Sequence, residues 1–234
     1  MHYAILAAGE GSRLKQEGVM LPKPLVRVDG EALLERLIRI FEQNNAESIT
    51  LIINEEMTEV RQWVEQHCPS VPFRCVVKST PGSMHSFVAL APYLTAGRFC
   101  LTTVDTIFRE DEFARYIRAF EELADWDGCM AVTDYIDDEK PLYVAVDQAM
   151  KITGFRDDAY CGFKYISGGI YGLTPRSLAV LNDCLAKGKL RMREFQRELV
   201  EAGFGLRAIP FSKIIDVDHA EDIAVANLFL QNRE

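Results

Sequence analysis

Apolar residues along the chain follow two alternating rhythms. The run Tyr3-Ala4-Ile5-Leu6 is short and continuous, as expected for a buried strand. Leu33, Leu34, Leu37, Ile38 and Phe41 recur at helical spacing and predict a helix over roughly 31–44. Ser48–Ile53 reads as a second strand, about 56–67 as a second helix, and Phe73–Val77 as a third strand. Thr80-Pro81-Gly82-Ser83 is a turn, with Ser83 a candidate N-cap for a helix running to about Leu94. Phe99–Val104 is a fourth strand ending at Asp105. Strands alternating with helices predict an α/β fold, a doubly wound Rossmann-like sheet that is mostly parallel. Ligands on such sheets lie beyond the carboxyl ends of the strands, where both the residues after Leu6 and Asp105 fall.

Beyond about residue 128 the rhythm changes. Cys129–Thr133, Leu142–Val146, Lys151–Phe155 and Lys164–Tyr171 look like strands without intervening helices, and Asp147-Gln148 marks a hairpin turn. These strands predict a small antiparallel extension, making the sheet mixed. Thr174-Pro175 has the form of a helix start, cap then first-turn proline. A further helix over about 192–202 ends at Gly203. The chain closes with strand-like Leu206–Pro210, the segment Lys213–Val217 and a helix from about His219. With no repeat, linker or low-complexity tract, residues 1–234 are expected to form a single domain.

Composition narrows the function. The chain has 234 residues, a formal net charge of −9 and 48% hydrophobic residues, which is ordinary for a globular protein. The negative charge argues against nucleic acid or an anionic membrane as the main partner. Cys68, Cys75, Cys100, Cys129, Cys161 and Cys184 are scattered singly, which argues against a zinc or redox site, and several lie in apolar strand-like runs and read as buried thiols of a cytoplasmic protein. With a first strand at Tyr3 no leader is expected, and no apolar run reaches membrane-spanning length.

The candidate chemistry is concentrated near the start. The first strand runs into Ala7-Ala8-Gly9-Glu10-Gly11-Ser12-Arg13-Leu14, and Pro22-Lys23-Pro24-Leu25 follows. A glycine turn after a strand exposes backbone N–H groups that can bond a phosphate. Arg13 and Lys23 add a guanidinium fork and a point charge beside it. A dinucleotide fingerprint would need a third glycine where Leu14 stands, and a P-loop would need Gly-Lys-Ser/Thr.

The two segments together resemble the N-terminal signature of the sugar-phosphate nucleotidylyltransferases, or NDP-sugar pyrophosphorylases. The resemblance implies a GT-A-like nucleotidyltransferase fold and Mg2+-dependent nucleotidyl transfer. A nucleoside triphosphate would react with a sugar 1-phosphate or similar phosphorylated small-molecule acceptor, releasing pyrophosphate. It assigns Leu6, Ala7, Ala8, Gly9, Gly11, Ser12, Arg13 and Lys23 to nucleotide binding, with Gly82 and Ser83 on base and ribose. Arg13, Lys23 and Asp105 take the catalytic roles. Such a reaction needs little covalent help, because a phosphate monoester with a second pKa of about 6 is already nucleophilic at neutral pH. The obstacle is charge, met by cations and by a magnesium ion that takes one or two carboxylates plus phosphates and water. Asp105 matches the family's metal-binding aspartate.

Asp216 and Asp218 are the further metal candidates, and an extended Asp216-Val217-Asp218 would point both to one side. Asp218, with Glu221 three residues on, also fits a helix capping box, which ranks Asp216 first. Ser167-Gly168-Gly169-Ile170-Tyr171 resembles the segment lying against the acceptor. That implies acceptor contacts at Gly168 and Gly169, with Lys213 a further candidate for the acceptor phosphate. Ser167 replaces the usual asparagine and Phe155-Arg156-Asp157 stands near an expected Glu-Lys-Pro, so the acceptor does not carry over. The alternatives are a cytidylyltransferase acting on phosphocholine or a polyol phosphate and a non-catalytic nucleotide-sensing module. A glycosyltransferase of the same fold is disfavoured because Asp105-Thr106-Ile107 is not Asp-x-Asp. Base, acceptor and oligomeric state stay open, and a chain ending soon after its last helix is expected to carry no added acyltransferase or β-helix domain.

Overall fold

A computed structural model of the chain describes residues 1–67, 69–136, 140–158 and 163–232. Cys68, Cys161 and part of the acidic stretch after Asp134 lie outside them. The chain opens with β1 (His2–Ala7), the short helix α1 (Ser12–Gln16), a small hairpin of β2 (Arg27–Val28) and β3 (Glu31–Ala32), and α2 (Leu33–Gln43). Next come β4 (Ser48–Ile53), α3 (Thr58–Gln66), β5 (Phe73–Val77), α4 (Ser83–Leu90), β6 (Phe99–Thr103), β7 (Thr106–Ile107) and α5 (Glu110–Glu122). The second half holds β8 (Gly128–Thr133), β9 (Tyr143–Val146), β10 (Ile152–Arg156), β11 (Tyr165–Leu173), α6 (Ser177–Ala186) and α7 (Met192–Glu201). It ends with β12 (Leu206–Phe211), β13 (Ile215–Asp216) and α8 (Ala220–Gln231).

Strands β5, β4, β1 and β6 lie side by side in that order, all parallel. The chain steps outward from β1 to β5 and then returns to add β6 on the other flank. The order therefore reverses between β1 and β6, where ligands of doubly wound sheets bind. Beyond β6, β11 pairs antiparallel with β6, β8 and β9, and β9 pairs antiparallel with β10. One further parallel pair, β8 with β12, was not anticipated. The fold is thus mixed α/β, mostly parallel where the glycine turn leaves β1.

Alternation along the strands places apolar side chains on both faces. Tyr3, Ile5 and Ala7 join a core with α2, α3, α5 and α8, whereas Ala4 and Leu6 join a core with α4, α6 and α7. Tyr3 stacks on Phe41 of α2, ring centroids 4.2 Å apart, and so seats β1 under that layer. A sheet covered on both faces presents only its edges and strand ends to a ligand.

Several boundaries differ from the sequence expectations. Helix α2 begins at Leu33 because Glu31–Ala32 pair with Arg27–Val28. Helix α4 ends at Leu90, and Ala91–Tyr93 form a tighter turn around Pro92, which has no N–H to continue the ladder. Gly82, not Ser83, takes the N-cap position of α4. Thr174 does not cap α6, which starts at Ser177. Helix α5 is absent from the expectations, although Phe113, Tyr116, Ile117 and Phe120 form its buried stripe. The hairpin turn at Asp147 is present, its carboxylate accepting from the N–H groups of Ala149 and Lys151 at 2.9 Å.

Candidate active site

The glycine turn that leaves β1 is built by local constraint. Gly11 has φ +61°, and a Cβ there would lie 3.2 Å from Lys23 Cβ. A side chain at position 11 would meet both strain and contact, so glycine lets Lys23 close on the turn. Asn54, at the end of β4, donates its side-chain N–H to the Ala8 carbonyl at 3.2 Å and steadies the turn from behind.

The acidic side is assembled over long sequence distances. Strand β13 pairs antiparallel with β7, setting Asp216 opposite Thr106. The Val217 N–H donates to the Asp105 carbonyl at 3.1 Å. Val217 is fully buried, so its neighbours Asp216 and Asp218 both face outward.

Lys23 lies where these parts meet. Its ammonium donates to Asp105 Oδ2 and, at 2.6 Å, to Asp218 Oδ1. Arg13 donates to the other Asp218 oxygen at 3.2 Å. Burial opposes charge on Lys23, but the Asp105 and Asp218 carboxylates outweigh it and raise its pKa above the ordinary lysine value. Burial likewise opposes ionisation of Asp105, and the Lys23 ammonium overcomes it, holding this carboxyl below its usual range. Two carboxylates thus share one cation at the carboxyl end of β6.

These groups line a cleft of about 560 Å3, within the usual range for small-molecule sites. Leu6, Ala7, Ala8, Gly9, Gly11, Ser12 and Arg13 form one wall, and Lys23, Asp105 and Asp218 the floor. Gly82 and Ser83 form the far wall with Thr80 and Ser86, whose hydroxyls bond each other at 2.6 Å. A Cβ on Gly82 would sit 2.7 Å from the Leu190 carbonyl oxygen, so the bare backbone here serves the packing of α4 against the segment before α7. Ser83 Oγ accepts from the Met192 N–H at 3.4 Å across the same contact.

A smaller cavity of about 80 Å3 adjoins, lined by Arg13, Tyr135, Ser167, Gly168, Asp216, Asp218 and His219 among others. Gly168 lines it, and a Cβ there would meet Ile214 Cδ1 at 2.2 Å. Gly169, at φ +72°, packs instead against the hydroxyls of Thr106 and Thr103. Lys213 lines neither cavity, and its ammonium lies 3.9 Å from the centre of the Tyr135 ring. Asp216 Oδ1 accepts from the Thr106 hydroxyl at 3.3 Å. The structure therefore gathers Arg13, Lys23, Asp105 and Asp218 tightly and sets Asp216 beside the smaller cavity.

The capping expectation for Asp218 shifts by one residue. His219 is the N-cap of α8, and the Asp222 carboxylate accepts from the N–H groups of Asp218 and His219 at 2.9 and 2.6 Å. The Asp218 side chain is thereby released from the helix and turned to Lys23. Other polar contacts, beside and outside the site, carry no sequence signature. Gln196 of α7, almost fully buried, accepts from the Ser167 hydroxyl at 2.9 Å. Asp157 is held by Arg193 and Arg197 of the same helix at 2.7 and 2.6 Å.

The donor chemistry suits a magnesium ion. Hard oxygen ligands are present as two carboxylates that already share a cation, and magnesium commonly takes its remaining ligands from phosphates and water. Among the described residues no cluster of three or more His, Cys, Asp or Glu side chains forms an all-protein cage. Nor is any helix among them long and apolar enough to cross a membrane.

Comparison with known proteins bears on this site. Residues 3–159 match the family described as MobA-like NTP transferase domain. A protein of Thermococcus kodakarensis named bifunctional IPC transferase and DIPP synthase is 29% identical over 149 residues, 63% of this chain and 30% of that protein. The bifunctional protein GlmU of Methanococcus maripaludis is 22% identical over 239 residues, covering 100% of this chain and 55% of its own length. The chain thus spans about a third to a half of these relatives. The inositol-1-phosphate CTP transferase from T. maritima superposes with a TM-score of 0.82 at 19% identity, covering 100% of this chain and 96% of that one. HddC from Yersinia pseudotuberculosis gives 0.74 at 21% identity, over 98% of this chain and 100% of that one. At such identities the structural likeness establishes the fold.

Proposed function

The chain belongs to the MobA-like NTP transferase domain family, and from that premise we propose that it transfers a nucleotidyl group from a nucleoside triphosphate to a phosphorylated sugar or polyol, releasing pyrophosphate. The observation that carries this reading is the Lys23 ammonium shared by Asp105 and Asp218 at the foot of the glycine turn. A cleft with Arg13 on one wall and Lys23 among carboxylates at its floor suits a ligand that is a polyanion accompanied by a divalent cation.

In this reading the turn from Leu6 to Ser12 cradles the triphosphate through its backbone. Arg13 and Lys23 neutralise charge on the phosphates, and the wall formed by Gly82 and Ser83 receives base and ribose. Asp105 and Asp218 hold the magnesium ion, with Asp216 beside them toward the acceptor. When bound, the ion supplies charge neutralisation between the approaching acceptor and the α-phosphate. The acceptor approaches from the side of the smaller cavity at Ser167 and Gly168, and its phosphate, already dianionic, needs no general base. Catalysis is then positioning and electrostatic stabilisation.

The relatives make CTP with inositol 1-phosphate the first pair to assay, because two of them bear IPC transferase or inositol-1-phosphate CTP transferase in their names. A matrix of four nucleoside triphosphates against sugar 1-phosphates, inositol 1-phosphate and phosphocholine, read by pyrophosphate release, tests the proposal. Turnover with one pair that disappears in Asp105→Ala supports it. Tight triphosphate binding with no turnover on any acceptor points to a nucleotide sensor instead.

A further inference from the structure

We propose that Glu17 is a positioning residue for the triphosphate cradle: by clasping the start of α8 it sets α1, and with it Arg13 and the glycine turn, against Asp218. This rests on the nucleotidyl-transfer reading of the same cleft. Glu17 directly follows α1, and its N–H donates to the Arg13 carbonyl at 3.0 Å. Its carboxylate reaches across more than 200 residues of sequence. Oε1 lies 2.6 Å from His219 Nδ1, and Oε2 accepts from the Ala220 N–H at 2.6 Å.

Two features make the clasp more than a surface ion pair. Helix α1 is only five residues long and buries a single side chain, Leu14, so packing alone holds it weakly. Both its ends also touch the same short stretch: Arg13 bonds Asp218, and Glu17 bonds His219 and Ala220. The Asp218 and His219 N–H groups go to Asp222, and Ala220, the next in line, goes to Glu17. The backbone that aims Asp218 at Lys23 is therefore gripped from within α8 and from α1. Glu17 itself lines neither cavity, so it acts through these neighbours rather than on a ligand.

Release of the clasp frees α1 to shift relative to Asp218, and Gly11, whose carbonyl accepts from the Lys15 N–H at 3.1 Å, shifts with it. The test uses the full chain with magnesium tripolyphosphate, a probe that needs no knowledge of the base. Glu17→Ala is expected to raise its dissociation constant by roughly tenfold, the size of one misplaced anion contact. Glu17→Gln keeps one acceptor and should fall between. Glu47→Ala, which removes the N-terminal ion pair, should bind as the wild type does. Hydrogen exchange should quicken at residues 12–16 and 218–220 together in Glu17→Ala. Wild-type affinity in Glu17→Ala, or unchanged exchange at 218–220, overturns the positioning role alone. A wild-type protein that ignores magnesium tripolyphosphate overturns the nucleotidyl-transfer reading as well.

Discussion

Replacing Lys23 by methionine keeps the unbranched stem one atom shorter and deletes its charge, leaving Asp105 and Asp218 facing each other. The side chains of Lys23 and Asp105 are 10% and 19% exposed, so this is close to breaking a buried pair. Such a break costs about 3–5 kcal/mol. Asp218 is 44% exposed, and water screens its share. The expected loss is therefore about 2–3 kcal/mol, or roughly 5–10 °C in Tm for a domain of this size. Magnesium should reverse part of it, because a divalent ion can take the place between the carboxylates that the ammonium held. For a site with a Kd of about 1 mM, 10 mM Mg2+ returns about 1.4 kcal/mol by linkage. The wild type should gain less, since its own ammonium competes for the same oxygens. Thermal melts of both proteins in EDTA, in MgCl2 and in NaCl of matched ionic strength decide the matter. A Lys23→Met protein as stable as the wild type in EDTA, or an equal magnesium shift in both, would refute the shared-cation account of the floor.

Three further outcomes follow from particular contacts. Asp218→Asn should lower pyrophosphate release by about 100-fold and Asp216→Asn by less than about tenfold, since removing one electrostatic contact at a reacting centre has that scale; the opposite order would return the principal metal role to Asp216. Gly82→Ala should cost about 1–3 kcal/mol by overpacking against the Leu190 carbonyl, and an unchanged urea midpoint would contradict that contact. Hydrogen bonds from Lys187 and Lys189 pull the Glu198 carboxyl down from 4.5 to about 2. Its stabilising contribution is therefore full above about pH 4.5 and lost as the pH falls toward 2. Urea titrations of wild type and Glu198→Gln should accordingly converge over that interval, and parallel curves would show that the two lysines do not favour the charged form.

The order of elements was legible because it rests on local periodicity. A central strand with a continuous apolar run, then helices with apolar stripes, leaves few sheet topologies. The glycine turn and Lys23 were legible for a related reason: Gly11 has a positive φ and its missing Cβ leaves room for the lysine, so sequence spacing and spatial proximity coincide. Helix α5 was also written in the chain. Glu110, Asp111 and Glu112 occupy its first turn, and Phe113, Tyr116, Ile117 and Phe120 follow the helical repeat. Contacts such as Asn54 to Ala8, Ser167 to Gln196 and Glu17 to His219 leave no trace of this kind. Each joins single residues from separate parts of the chain through one polar contact, and no period or motif announces such a meeting.

The relative standing of Asp216 and Asp218 shows where pattern reading reaches its physical limit. Asp218 with Glu221 and His219 with Asp222 both span the three-residue interval of a capping box, and local preference favours the first, since aspartate is a strong N-cap and histidine is not. The choice is made elsewhere, by the pairing of β13 with β7 and by the Val217 N–H on the Asp105 carbonyl. Those bonds turn Val217 into the core, which commits its two neighbours to the opposite side. Asp222 then takes the exposed N–H groups of Asp218 and His219, and the helix begins one residue later than the capping box at Asp218 would start it. A one-residue change of cap is small in the helix and large in the cleft. It converts Asp218 from a group consumed by backbone N–H bonds into the carboxylate that shares Lys23 with Asp105. The metal-holding role proposed for Asp218 is thus a consequence of sheet pairing more than 100 residues away in sequence.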